Sequence, residues 1–82
     1  MKSMRDFVIN GGWDATIGVH EDGTKEVLAF GKSFSDGQDC KERACKYYGV
    51  SDIYYVRADD MTDEEISLVY AAHQEDLRRL FT

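Results

Sequence analysis

Histidines, thiols and paired carboxylates carry acid–base, nucleophilic and metal chemistry, and this chain of 82 residues places them sparsely. His20 is followed by Glu21 and Asp22, an imidazole beside two carboxylates, the composition of a general base with an orienting acid. The next residue is Gly23, and an Asp-Gly step is a strong hairpin-turn signal, so the trio stands at the exposed end of a hairpin where an imidazole is ordinarily just solvated. His73 falls on the apolar stripe of a helix and reads as a residue at the rim of the core rather than a base. Cys40 and Cys45 are five apart in a helical segment, which turns their side chains away from each other and outside intrachain disulfide geometry. Both are expected to be reduced structural thiols, as suits a cytosol. A zinc site would want Cys-x2-Cys or a matching histidine pair, whereas His20 and His73 stand in separate elements. Gly11-Gly12 and Gly31 lack the spacing and the following helix of a phosphate cradle. The expectation is therefore no catalytic residue, no metal, no cofactor and no enzymatic activity.

The side chains that do stand out are acidic. The chain carries ten Lys+Arg against sixteen Asp+Glu, a formal charge of −6. Residues 51–65 hold six acids against Arg57 alone, so most of the imbalance lies in one short stretch. Asp63, Glu64 and Glu65 have a structural reason, because acids in a first helical turn gain on the order of 0.3 to 1 kcal/mol each from the macrodipole. Asp59 and Asp60 have less. Together they form a compact acidic knob suited to Lys/Arg clusters on a partner. The chain is also rich in aromatics, and Tyr and Trp are enriched at protein hot spots. Base stacking would need a basic groove, but only Arg57 accompanies Tyr54 and Tyr55. The expected partner-binding residues are Asp59, Asp60, Asp63, Glu64, Tyr55 and Arg57. The expected partner is a protein or ribonucleoprotein with a basic surface, with no direct binding of nucleic acid and none of membrane.

The elements that must position these residues follow from pattern. Trp13, Ala15, Ile17 and Val19 alternate with Asp14, Thr16, Gly18 and His20, the period of a strand, with Gly11-Gly12 marking its start. A second β-rich run spans Lys25 to Phe34. A two-residue turn at Asp22-Gly23 would pair Glu21 with Thr24, Ile17 with Leu28 and Ala15 with Phe30, and it buries more than the slipped register that sets Ile17 against Val27. Ser35 and Gln38 have capping-box spacing before a helix from Asp36 to Tyr48, stopped by Gly49, whose stripe Cys40, Ala44, Tyr47 and Tyr48 would lie on the sheet. Ile53 to Ala58 reads as a third strand. The last helix starts at a capping box of Thr62 and Glu65, with Met61 and Ile66 as a hydrophobic staple. Its stripe is Ile66, Val69, Tyr70, His73, Leu77, Leu80 and Phe81. Its last residues are expected to be partly exposed, which would support a weak homodimer through this helix.

This is a ββαβα order: an α+β fold in one domain spanning 1–82, a three-stranded antiparallel sheet with two helices packed on it. Strand order 2-1-3 follows from a right-handed crossover, with 1-2-3 the alternative. A chain this short owns one modest core and hardly a deep pocket as well. Phe7 to Ile9 fall far short of a signal or membrane-spanning segment, so a cytoplasmic protein is expected.

In size, acidity and element order the chain resembles the small proteins that bacteriophages make to block host machinery, particularly anti-CRISPR proteins and small RNA polymerase inhibitors. The resemblance lies in the hairpin from Trp13 to Lys25, the helix and strand that follow, and the acidic stretch Asp59 to Glu65. It carries over no individual site residue. It implies a non-enzymatic inhibitor that occupies a basic nucleic-acid channel or a subunit-contact surface of its target. The alternative is a structural or housekeeping interaction domain, a homodimer through the C-terminal helix.

Overall fold

The computed structural model describes residues 3–35 and 37–80. The chain opens on a helix the strand-and-helix pattern above does not contain, α1 (Met4–Gly11). Ser3 caps it: the Asp6 amide donates to Ser3 Oγ at 3.2 Å and the Ser3 amide to Asp6 Oδ2 at 3.4 Å, a reciprocal box that satisfies two otherwise orphaned donors. Gly12, at φ 66°, closes it in the left-handed conformation. Gly11-Gly12 therefore ends a helix instead of starting a strand, and the order becomes αββαβα.

Strands β1 (Ala15–Val19), β2 (Lys25–Phe30) and β3 (Asp52–Val56) form an antiparallel sheet of order β2-β1-β3, the 2-1-3 arrangement. The hairpin register is split. Ala15 faces Phe30 as the two-residue turn requires, but Ile17 faces Val27, and a bulge between Thr16 and Ile17 absorbs the difference. Near the turn, His20 donates its amide to Thr24 O at 2.8 Å, so three residues, Glu21 to Gly23, form the loop. Asp22 accepts from the Thr24 amide and hydroxyl, which selects that longer loop. β2 stops at Phe30, short of Phe34, because the chain turns at Gly31 (φ 79°) and Thr16 Oγ1 ties Gly31 O and the Ser33 amide.

Helix α2 (Gln38–Tyr48) begins at Gly37 with no side-chain cap; Gln38 reaches Glu42 at 3.2 Å, so the Ser35–Gln38 box is not formed, and Asp36, the expected start, lies outside the described residues. Gly49 ends the helix at φ 70°, as read from the sequence. After β3 a short 3-10 turn (Ala58–Asp60) leads into α3 (Asp63–Leu80). Thr62 and Glu65 cap α3 reciprocally: the Thr62 amide donates to Glu65 Oε1 at 2.8 Å and the Glu65 amide to Thr62 Oγ1 at 3.3 Å. Met61 and Ile66 of the staple are both buried.

The core lies between the sheet and α1 and α3. Val8, Ala15, Ile17, Met61, Ile66 and Val69 form it, with Val27, Phe30, Tyr54 and Val56 packed against it. Each large apolar side chain buried there contributes about 1.5 to 3 kcal/mol. Ile53, fully buried, belongs to the opposite face together with Gly18, and the side chains of Val50 and Leu28 close over Gly18. The sheet is thus covered on both faces. α2 covers its side loosely: none of its residues is buried, Cys40, Ala44 and Tyr48 of the expected stripe are half-buried, and Tyr47, 83% exposed, stands away from the sheet, which corrects the expectation for that residue. At the outer edge of β3 the Ile53 amide donates to Asp52 Oδ1 at 2.9 Å, and Lys41 Nζ stands 3.0 Å from the same oxygen. The Lys41 contact and this amide hold the Asp52 carboxyl below its usual range.

Candidate protein-interaction surface

Four of the six expected partner-binding residues come together at one corner of the molecule. Asp59 and Asp60 ride on the 3-10 turn and Asp63 and Glu64 on the first turn of α3, all exposed. The backbone beneath them is fixed by Asp60 N–H donating to Arg57 O at 2.9 Å, by the Thr62–Glu65 box, and by Ala58 N–H donating to Asp14 Oδ1 at 2.8 Å. Glu65, next in sequence, turns inward. It is buried and accepts from the Tyr54 hydroxyl as well as from Thr62. Burial alone would raise its carboxyl, but these hydrogen bonds outweigh burial and hold it below the ordinary value. The Tyr54 hydroxyl is correspondingly pushed far up, by burial first and by Glu65 second.

The corner is not bare acid. Arg5 of α1 pairs with Asp63 and donates from Nη1 to Met61 O at 3.1 Å, and Arg57 Nε lies 3.8 Å from Asp59 Oδ1. Asp60 and Glu64 have no ion pair among the described residues. Arg57 therefore borders the acidic group, whereas Tyr55 does not join it. Tyr55 is on the other face of the sheet, half-buried, its hydroxyl donating to Asp14 Oδ2 at 2.9 Å with Lys32 Nζ 5.9 Å from its ring. The hydrogen bond to Asp14 raises the Tyr55 hydroxyl, and the Ala58 amide, first, with Tyr55 adding to it, lowers Asp14 against the opposing effect of burial.

Two residues of this corner escaped the sequence reading, Arg5 and Asp14. Arg5 belongs to α1, whose only local signal is the Ser3-x-x-Asp6 spacing; Asp14 lies on the polar side of the alternation and nothing nearby in sequence marks its role in holding β3 and the 3-10 turn.

The remaining chemical candidates stand apart from it. His20 Nε2 is 3.4 Å from Glu26 Oε2, at an open groove of about 670 Å³ between the hairpin tip and Gly49 to Ser51. His73 is half-buried in an aromatic group, its ring centroid 4.1 Å from Trp13 and 5.2 Å from Phe7. Cys40 and Cys45 are free thiols on α2, both partly exposed. No helix among the described residues is long and apolar enough to cross a membrane. Comparison with known protein families, curated proteins and solved structures found nothing that matches this chain.

Proposed function

We propose that the protein is a small non-enzymatic inhibitor, acting in the cytosol, that docks its acidic corner on a basic surface of a host protein or ribonucleoprotein and so competes with nucleic acid or with a subunit for that surface. This is the mode implied by its resemblance to anti-CRISPR-like phage proteins. The observation that supports it is the division of labour among consecutive acids: Glu65 is consumed by the fold, while Asp59, Asp60, Asp63 and Glu64 project into solvent from a backbone tied at three places. Carboxylates held on a rigid frame attract a cationic surface without the entropy of ordering a flexible tail.

Capture of partners from the source cell, followed by association kinetics, tests the reading. Asp59→Asn, Asp60→Asn and Glu64→Gln together should leave the fold intact, since none caps a helix or fills the core, and should slow association about tenfold or more at low salt, with the difference fading as salt rises. Charge reversal at Glu21, Asp22 and Glu26 on the hairpin is the control. Equal binding by the two variants, or wild-type binding by the first, sinks the proposal. A second reading, self-association through the end of α3, is favoured by the exposure of Leu77 and Leu80 there.

A further inference from the structure

The apolar stripe of α2 is only partly covered, Cys40, Ala44 and Tyr48 half-buried and Tyr47 exposed, and it borders the loop of residues 33–35. Tyr47 and Tyr48 meet edge to face with ring centroids 4.9 Å apart, and with Phe34 and Cys40 they wall an open recess of about 450 Å³. Tyr47 is 83% exposed, so its ring contributes little to the fold it stands on. Arg43 lines the same recess. Among the described residues it has no hydrogen bond or ion pair, whereas Lys41, two residues earlier, is held by Asp52 at 3.0 Å. Lys32 lines the adjoining depression on the far side of Phe34.

Tyrosine and arginine around an apolar recess are the residue types that dominate binding energy at protein contacts. A planar guanidinium with no partner matches a carboxylate in two parallel hydrogen bonds. Aromatics beside a cation also suit a nucleic-acid base, but the single Arg43 lining the recess is one carboxylate's worth of charge and not the basic groove that tracks a phosphate backbone. We propose that this recess is a docking site for a peptide segment of a partner protein in which an aromatic or aliphatic side chain stands beside a carboxylate. The apolar side chain enters among Phe34, Tyr47 and Tyr48, and the carboxylate pairs with Arg43. The surface is on the side of the sheet away from α3 and does not depend on the acidic corner.

The test is titration of the isotopically labelled protein with a short capped peptide in which Phe and Leu alternate with Glu, read by amide chemical shifts. Saturable shifts centred on residues 33–35 and 40–48 are expected. Arg43→Glu and Tyr47→Ser should each weaken binding about tenfold or more with circular dichroism unchanged, while Arg78→Glu, a charge change of the same size on the exposed end of α3, should not. The proposal is overturned if no shifts appear at millimolar peptide, if the variants bind like wild type, if a peptide with Lys in place of Glu binds as well, or if oligouridylate binds more tightly than the acidic peptide.

Discussion

Glu65 shows how much a single side chain can be asked to do. It closes the cap of α3 and accepts from Tyr54, and these hydrogen bonds keep it ionised although burial opposes the charge. Because its folded pKa lies below the unfolded value near 4.3, its contribution is fully present above that value and is lost as pH falls through the lowered folded pKa. Tyr54→Phe keeps the ring in the core but removes the donor. We expect it to lower stability at neutral pH by about 1.5 to 3 kcal/mol, the range for a hydrogen bond to a charged group, and the gap from wild type to narrow in acid as Glu65 protonates. Denaturant unfolding at a series of pH values measures this, and a gap constant with pH would show that the pair does not act through the carboxylate. The raised Tyr54 hydroxyl keeps its proton through the alkaline range, so no comparable loss is expected there.

At the scale of elements, local chemistry was legible and distant contact was not. Thr62, Glu65, Met61 and Ile66 announce the start of α3 because a cap and a staple are completed within six residues. The same grammar stands at Ser3 and Asp6, but Phe7, Val8 and Ile9 are contiguous and show no stripe, and what makes α1 a packed helix is the burial of Val8 under residues far along the chain. The acidic stretch was legible as a charge excess; that Arg5 would reach Asp63, or that Tyr55 would be held away by Asp14, depends on contacts 58 and 41 residues apart in sequence. A Cβ on Gly18 would fall 2.8 Å from Val50 Cγ1 and 2.9 Å from Leu28 Cδ1, so the second face of the sheet is packed onto bare backbone at that point. Gly18→Ala should therefore cost about 1 to 3 kcal/mol through overpacking, despite the better strand propensity of alanine. A melting temperature equal to wild type would show that Val50 and Leu28 simply step aside.

For the whole molecule, three layers place the acidic corner, the α2 recess and the exposed end of α3 on separate surfaces. Residues 75–80 of α3 are all exposed, Leu77 at 36% and Leu80 at 77%; Phe81, which the sequence places on the same stripe, lies outside the described residues. Apolar surface of this kind favours weak association, so sedimentation is expected to show the 9.4 kDa chain moving toward a dimer as concentration rises, and Leu77→Glu with Leu80→Glu to abolish the shift. A wild-type monomer at every concentration would remove the second reading and leave the inhibitor proposal untouched. A sheet ordered β2-β1-β3 also has two open margins, each a template on which a foreign strand can grow. The outer margin of β3 is defended at its beginning: the first outward amide, that of Ile53, is already engaged by Asp52, and Lys41 adds a charge that an incoming backbone would have to displace. The bulge in β2 breaks the evenness of the other margin. Both devices disfavour edge-to-edge stacking into fibrils, so the folded chain is guarded against templating its own aggregation.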